Sequence, residues 1–306
     1  MIGRVVAFVN QTAVAHWNDR VGHFGHYECI DEPEASAALL DAACDWLESQ
    51  KVRAVWGPWN FVSQDFGFIV EGFDLQPVIL SSYNPPYYND QVANSGFKKK
   101  KDLLVYSCDL RTGYTLPDRI TGFVAKIADR YNVTVRPINM RNIQADALSI
   151  VDLTNLALTD NWGYYPVDPS ETNDLVKDLK QIANPETILF AEIDGKPIGY
   201  LLALPDINDL LKEMNGRLLP FGIFKLLTGL KKLIRYRIWA MGIDPKYQRK
   251  GISILLFDHL YKTLADKKVY VEANYVLEDN HLMNNALRQL NFDLVKKYRV
   301  YEKVLH

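Results

Sequence analysis

The chain has 306 residues, of which 48% are hydrophobic and 24% charged, so it is globular and long enough for two domains with buried cores. A net charge of −2 excludes a general attraction to nucleic acid or anionic membrane. Three cysteines (Cys29, Cys44, Cys108) without C-x-x-C spacing and scattered histidines argue against a disulfide framework or a metal site and for a cytoplasmic protein. The apolar run at 5–9 lacks signal-peptide architecture, and no stretch approaches the length of a membrane span.

Residues 2–9 read as a strand, 11–19 as a polar loop and 21–30 as a second strand. Asp31-Glu32-Pro33-Glu34 opens a helix that runs through Leu47, and 52–56 is the next strand, broken by Gly57-Pro58. An irregular aromatic segment containing Tyr83 to Tyr88 leads to a strand at 103–106. A helix at 117–131 links the halves. Then come a strand at 133–138, a helix at 145–158, an aromatic loop around Trp162, Tyr164 and Tyr165, and a helix at 175–182. Asp194-Gly195 is a strong turn signal between strands at 188–193 and 198–204. An insertion at 205–235 carries Ile223, Phe224, Leu227, Leu230 and Ile234 on one helical face, with Lys225, Lys231 and Lys232 elsewhere. The spacing fits a helix packed on the core, and also fits a lid or a lipid-touching surface.

The most informative stretch is 238–262. A strand ends at Asp244-Pro245, the basic loop Gln248-Arg249-Lys250-Gly251 follows, and a helix starts at Ile252. Strand, glycine loop and helix aim backbone N–H groups and the positive end of a helix dipole at one spot, which suits phosphate. After it come a strand at 269–276, a helix at about 280–290 and a last strand at 295–301.

Three anchors recur in order along the chain. Residues 2–8 match 198–204, Cys29-Ile30-Asp31 matches Gly242-Ile243-Asp244, and Phe97…Tyr106 is spaced like Phe292…Tyr301. The interval from Asp31 to Val52 is shorter than that from Asp244 to Val269, and the basic loop lies in the difference. The first copy is therefore expected to lack a phosphate cradle, and it also lacks counterparts of the elements before Ile198. A shortened copy would expose a sheet edge.

The second half resembles the Gcn5-related N-acetyltransferase (GNAT) family in element order and in its Q-x-x-G loop, Gln248 to Gly251, with Ser253 where Gly or Ala is usual. The first half resembles a degenerate copy. The resemblance implies an α/β fold of two GNAT-like domains, each a central mixed sheet flanked by helices: residues 1–109, a linker helix in 110–132, and 133–306 with the insertion. It also implies an acyl-coenzyme A co-substrate, acetyl-CoA or another acyl-CoA. Its pyrophosphate would lie on the amides of Arg249, Lys250, Gly251, Ile252 and Ser253, beside Gln248, and its pantetheine arm along Met241, Gly242 and Ile243, with Asn280 at the start of the last helix. The acceptor implied is a small-molecule amine, near Trp162, Tyr164 and Tyr165, and an oligomer is compatible. Leu287 occupies the position of the family's Tyr that protonates the leaving thiolate. An amine must lose a proton before attacking a thioester, and Glu272, a charge inside an apolar strand, is the candidate base. Strand alternation alone would point Glu272 to solvent. The readings are an N-acetyltransferase, a non-catalytic acyl-CoA sensor favoured by Leu287, or a long-chain acyl or aminoacyl transferase favoured by the apolar insertion.

Overall fold

The computed structural model describes residues 2–60, 65–217 and 222–305. The first half runs β1 (Gly3–Phe8), α1 (Gln11–Trp17), β2 (Val21–Cys29), α2 (Pro33–Ser49), β3 (Ala54–Gly57), β4 (Phe68–Glu71), α3 (Tyr87–Asn94) and β5 (Lys98–Asp109). Helix α4 (Asp118–Tyr131) leads to β6 (Val133–Pro137), α5 (Ile143–Ala157), α6 (Thr172–Ile182), β7 (Ile188–Ile193) and β8 (Lys196–Pro205). Then come α7 (Asn208–Glu213), α8 (Gly222–Gly229), β9 (Arg235–Ile243), α9 (Ile252–Leu264), β10 (Tyr270–Leu277), α10 (His281–Gln289) and β11 (Asp293–Val304).

Three elements differ from the sequence reading. Residues 11–17 form a helix instead of a loop, because the Asn10 side chain accepts from the Ala13 N–H (3.1 Å) and Ala13 is buried. Within the aromatic segment, α3 buries Tyr88 and Val92 against α2, and β4 finds its partner in β11, far along the chain. Of the face named in the insertion, the side chains of Ile223, Phe224 and Leu227, with Lys225 and Lys231, lie outside the described residues.

All strands join one mixed sheet, in the order β1-β2-β3-β11-β5-β10-β9-β8-β7-β6, with β4 alongside β11. Among the described residues, only β2–β3 and β9–β10 are parallel. The last strands of the two halves are exchanged. β5 lies between β10 and β11, and β11 lies between β3 and β5. Leu103 pairs with Tyr298 in that central ladder. These two residues are separated in sequence just as Phe97 is from Phe292, so a pseudo-twofold axis relating the copies passes through this pair. Helices α5 and α6 cover one face of the second half, burying Ile150, Leu153 and Leu179 against Phe190 and Leu202. Helices α4, α9 and α10 cover the other, burying Ile120, Leu256, Phe257 and Leu287 against Leu201 and Val271.

Candidate active site

Strands β9 and β10 run together from Arg235 and Tyr270 as far as Ile238 and Ala273, and beyond that no pairing connects them. β9 stays on β8 (Ala240 opposite Leu202, Met241 opposite Leu201), while β10 bulges and continues on β5. The backbone edge of β9 from Trp239 onward is thus free on the side of the gap. A cavity of about 180 Å³ occupies the opening and passes through the sheet. Trp239, Ala240 and Met241 form one wall, and Asn274, Tyr275, Val276 and Leu277 the other. One mouth is closed by the α5–α6 loop with Trp162, Tyr164 and Tyr165, and the other side by Phe257 of α9 with Asn280 and Met283.

The loop at the end of β9 is shaped for an anion. The Gln248 amide donates to the Ile243 carbonyl (3.1 Å), tying the loop back to the strand. Arg249 and Gly251 both have positive φ (60° and 80°), which turns the chain into α9. Gly251 suits its φ of 80°, which side chains rarely adopt, and a Cβ there would also come 2.7 Å from Ile127 Cδ1, which would have to shift. Among the described residues no side chain caps α9, so its first N–H groups are available to a ligand. The Lys250 ammonium lies over the rings of Tyr247 and Tyr131 (4.9 and 5.7 Å). Of the residues named from the sequence, Met241 and Asn280 line the cavity, while Gly242 and Ile243 continue β9 toward the loop. Asn280 also caps α10, accepting from the Met283 N–H (3.1 Å).

Glu272 is not among the cavity-lining residues. It is fully buried on the paired part of β10, where its Oε1 accepts from Lys296 Nζ (2.6 Å) and the Tyr270 hydroxyl (3.0 Å). Its Oε2 has no partner among the described residues. Burial pushes the Lys296 amine below its usual range, against the pull of Glu272. Segment 72–84 of the first half crosses this face. Carbonyls of Gln76 and Ile79 accept from Lys296 (2.9 Å) and Arg237 (2.7 Å), and the Ile79 N–H donates to Asp206 (2.9 Å).

Leu287 is fully buried in the core under α10 and does not line the cavity. The hydroxyl-bearing side chains that do include Tyr275, whose phenol accepts from the Ser82 N–H (3.3 Å) and is held protonated by burial. Sequence reasoning missed Asn274, Tyr275, Phe257 and the first-half residues Phe66 and Leu103. Asn274 Nδ2 donates to Ser81 (2.8 Å), and its Oδ1 is buried in the cavity wall with no partner among the described residues. The first half also shapes the acceptor mouth. Trp17 donates to the Tyr164 carbonyl (2.5 Å), and Trp162 packs on Trp56 and Trp59 (ring centroids 5.1 and 5.8 Å). Among the described residues, no group of three His, Cys, Asp or Glu side chains is arranged to hold a metal, and no helix is long and apolar enough to cross a membrane.

A parallel strand pair parting beside an uncapped, glycine-turned helix start is the arrangement that the resemblance to coenzyme A-dependent acyltransferases implies. The acetyltransferase (GNAT) family model matches residues 150–292. The chain is 32% identical to the bacterial ceramide synthase of Caulobacter vibrioides, over 99% of this chain and 81% of that protein. It is also 32% identical to protein YghO of Escherichia coli, over 99% and 79%. A tandem GNAT protein from the clavulanic acid biosynthesis pathway shares the fold across 93% of this chain and 75% of its own, with a TM-score of 0.53 at 11% identity. The chain belongs to the GNAT family, and its fold is that of the tandem members.

Proposed function

We propose that this protein transfers a long-chain acyl group from acyl-CoA to the amine of a long-chain amphiphile. The cavity between β9 and β10 carries the reading, because among the described residues no charged side chain lines it. A polar acceptor would lose its hydration against Trp162, Tyr164, Tyr165 and Trp239 with little to replace it, whereas an amine on an apolar body buries that body there. The ceramide synthase relative points the same way, since a ceramide is an N-acylated long-chain amino alcohol. Together these favour a long-chain donor over the acetyl group.

In this reading the amides of Arg249 to Ser253 hold the pyrophosphate, and Met241 to Ile243 offer their free edge to the pantetheine arm. Asn274 Oδ1 accepts from the attacking amine. Glu272 lies two positions before Asn274 on the same face of β10, about 7 Å away along the strand, and receives the amine proton at Oε2 through water. The amine nitrogen bonds to the thioester carbonyl carbon, the C–S bond breaks, and Tyr275 gives its phenolic proton to the thiolate, a task Leu287 cannot perform, and is reprotonated through water by the proton held on Glu272.

A thiol-release assay pairing acetyl- to stearoyl-CoA with long-chain and short polar amines tests this. Turnover is expected with long-chain donors and long-chain amines, and Glu272→Gln should lower kcat by roughly 10²-fold or more with donor KM unchanged. Preference for acetyl-CoA would refute the donor assignment. Donor binding without turnover on any amine would favour the non-catalytic alternative.

A further inference from the structure

A second, smaller cavity lies beneath the first. It is lined by Cys108, Leu116, Leu260, Leu264, Val271 and Phe292, and among the described residues its lining is apolar apart from the Tyr114 and Tyr261 hydroxyls. Phe257 belongs to the walls of both cavities. Two elements line them up. On β10, Ala273 borders the upper cavity and Val271, two residues back on the same face, borders the lower. On α9, the lower cavity takes Phe257, Leu260, Tyr261 and Leu264, which form one side of the helix. The two spaces are therefore successive segments of one apolar track between β10 and α9, interrupted by a phenyl ring.

We infer that Phe257 is the floor of the acyl-chain site and sets the length of the acyl group this enzyme accepts, with the Cys108–Val271 cavity as the extension that its ring closes off. The inference rests on the long-chain donor reading. An acyl chain that enters between β9 and β10 and turns toward α9 meets Phe257 before any other barrier on that track. The upper cavity holds the chain up to the ring. Beyond it the space is only about 20 Å³ but its lining is apolar apart from the two tyrosine hydroxyls, so the room for a longer chain comes chiefly from removing the ring and no charged group is desolvated. Each further methylene buried there changes affinity by about fourfold.

The test uses the full-length protein with Phe257→Ala and, because emptying a core position is costly to stability, the milder Phe257→Leu. The chain-length profile of kcat/KM is measured from acetyl- through palmitoyl- to arachidoyl-CoA. The optimum is expected to move to longer chains in Phe257→Leu and further in Phe257→Ala, by tenfold or more in the ratio of the longest to the wild-type-optimal donor. Adding Val271→Phe to Phe257→Ala refills the track and should restore the original optimum. A second readout needs no turnover. Cys108 in Phe257→Ala should react with N-ethylmaleimide at least tenfold faster than in wild type and be protected by arachidoyl-CoA but not by acetyl-CoA. Cys29 and Cys44, buried in the first-half core, serve as internal references. Folded variants with an unshifted profile and an unreactive Cys108 overturn the inference. If Cys108 becomes reactive but the wild type uses only acetyl-CoA, the track stands and the long-chain reading fails.

Discussion

His23 shows at the scale of one residue how the first copy differs from the second. It is the last paired residue of β2, opposite Trp56, as Ile238 is the last paired residue of β9, opposite Ala273, before the second half opens its gap. Here the gap is filled. The Trp59 N–H donates to the Phe24 carbonyl (2.8 Å), and Gly25 must be glycine because a Cβ would lie 1.9 Å from the Trp59 oxygen. His23 is left 1% exposed among Phe8, Trp17 and Trp59, and its Nδ1 has no partner among the described residues. Burial pushes its pKa from 6.5 down to about 4. A depressed pKa means that the unfolded chain binds the extra proton between these values. The neutral ring is therefore without penalty above 6.5, and stability falls as pH drops toward 4, by about 3 kcal/mol in total. Urea midpoints measured from neutral pH downward should fall less steeply in His23→Phe than in wild type. Equal slopes would show that His23 does not titrate in this way.

At the scale of elements, what the sequence made legible was local. The β9–loop–α9 unit is written in consecutive residues, with an apolar run, Asp244-Pro245, a basic glycine loop and helical spacing, and it folds as read. Helix α1 was less visible because its signal is the cap at Asn10, with few apolar residues behind it. Strand β4 and the exchange of β5 and β11 are set by partners more than a hundred residues away, which no local pattern encodes. The environment of Glu272 was hidden for the same reason. Alternation assigns that face to solvent, but segment 72–84 covers it and Lys296 supplies the counter-charge. The loop itself can be tested. Gly251→Val places a β-branched residue at φ 80° and drives its side chain toward Ile127 on α4. Titration calorimetry with coenzyme A should show affinity reduced by tenfold or more, with the circular dichroism of the fold unchanged. Wild-type affinity would remove the loop from the donor site.

For the whole molecule, the exchanged strands decide what counts as a folding unit. The sequence repeat suggests two domains joined at 110–132, but β5 supplies the partner that β10 and β11 need, and β11 supplies the strand between β3 and β5. Residues 133–306 alone would leave β11 without a neighbour on either side and β10 with one bare edge. They would also lose the Gln76 and Ile79 carbonyls that satisfy Lys296 and Arg237, leaving buried cations with fewer partners. Residues 1–132 alone would expose β5 and the aromatic surface of Trp56 and Trp59 that backs Trp162. Each half produced separately is therefore expected to aggregate or to lack fixed tertiary packing, read by near-ultraviolet circular dichroism, whereas the two halves co-expressed should purify as a one-to-one complex that retains acyl-CoA binding. A monodisperse 133–306 fragment with native-like near-ultraviolet signal and donor affinity would show that the second copy is autonomous, and the first half would then be an accessory to the acceptor mouth instead of part of the same folding unit.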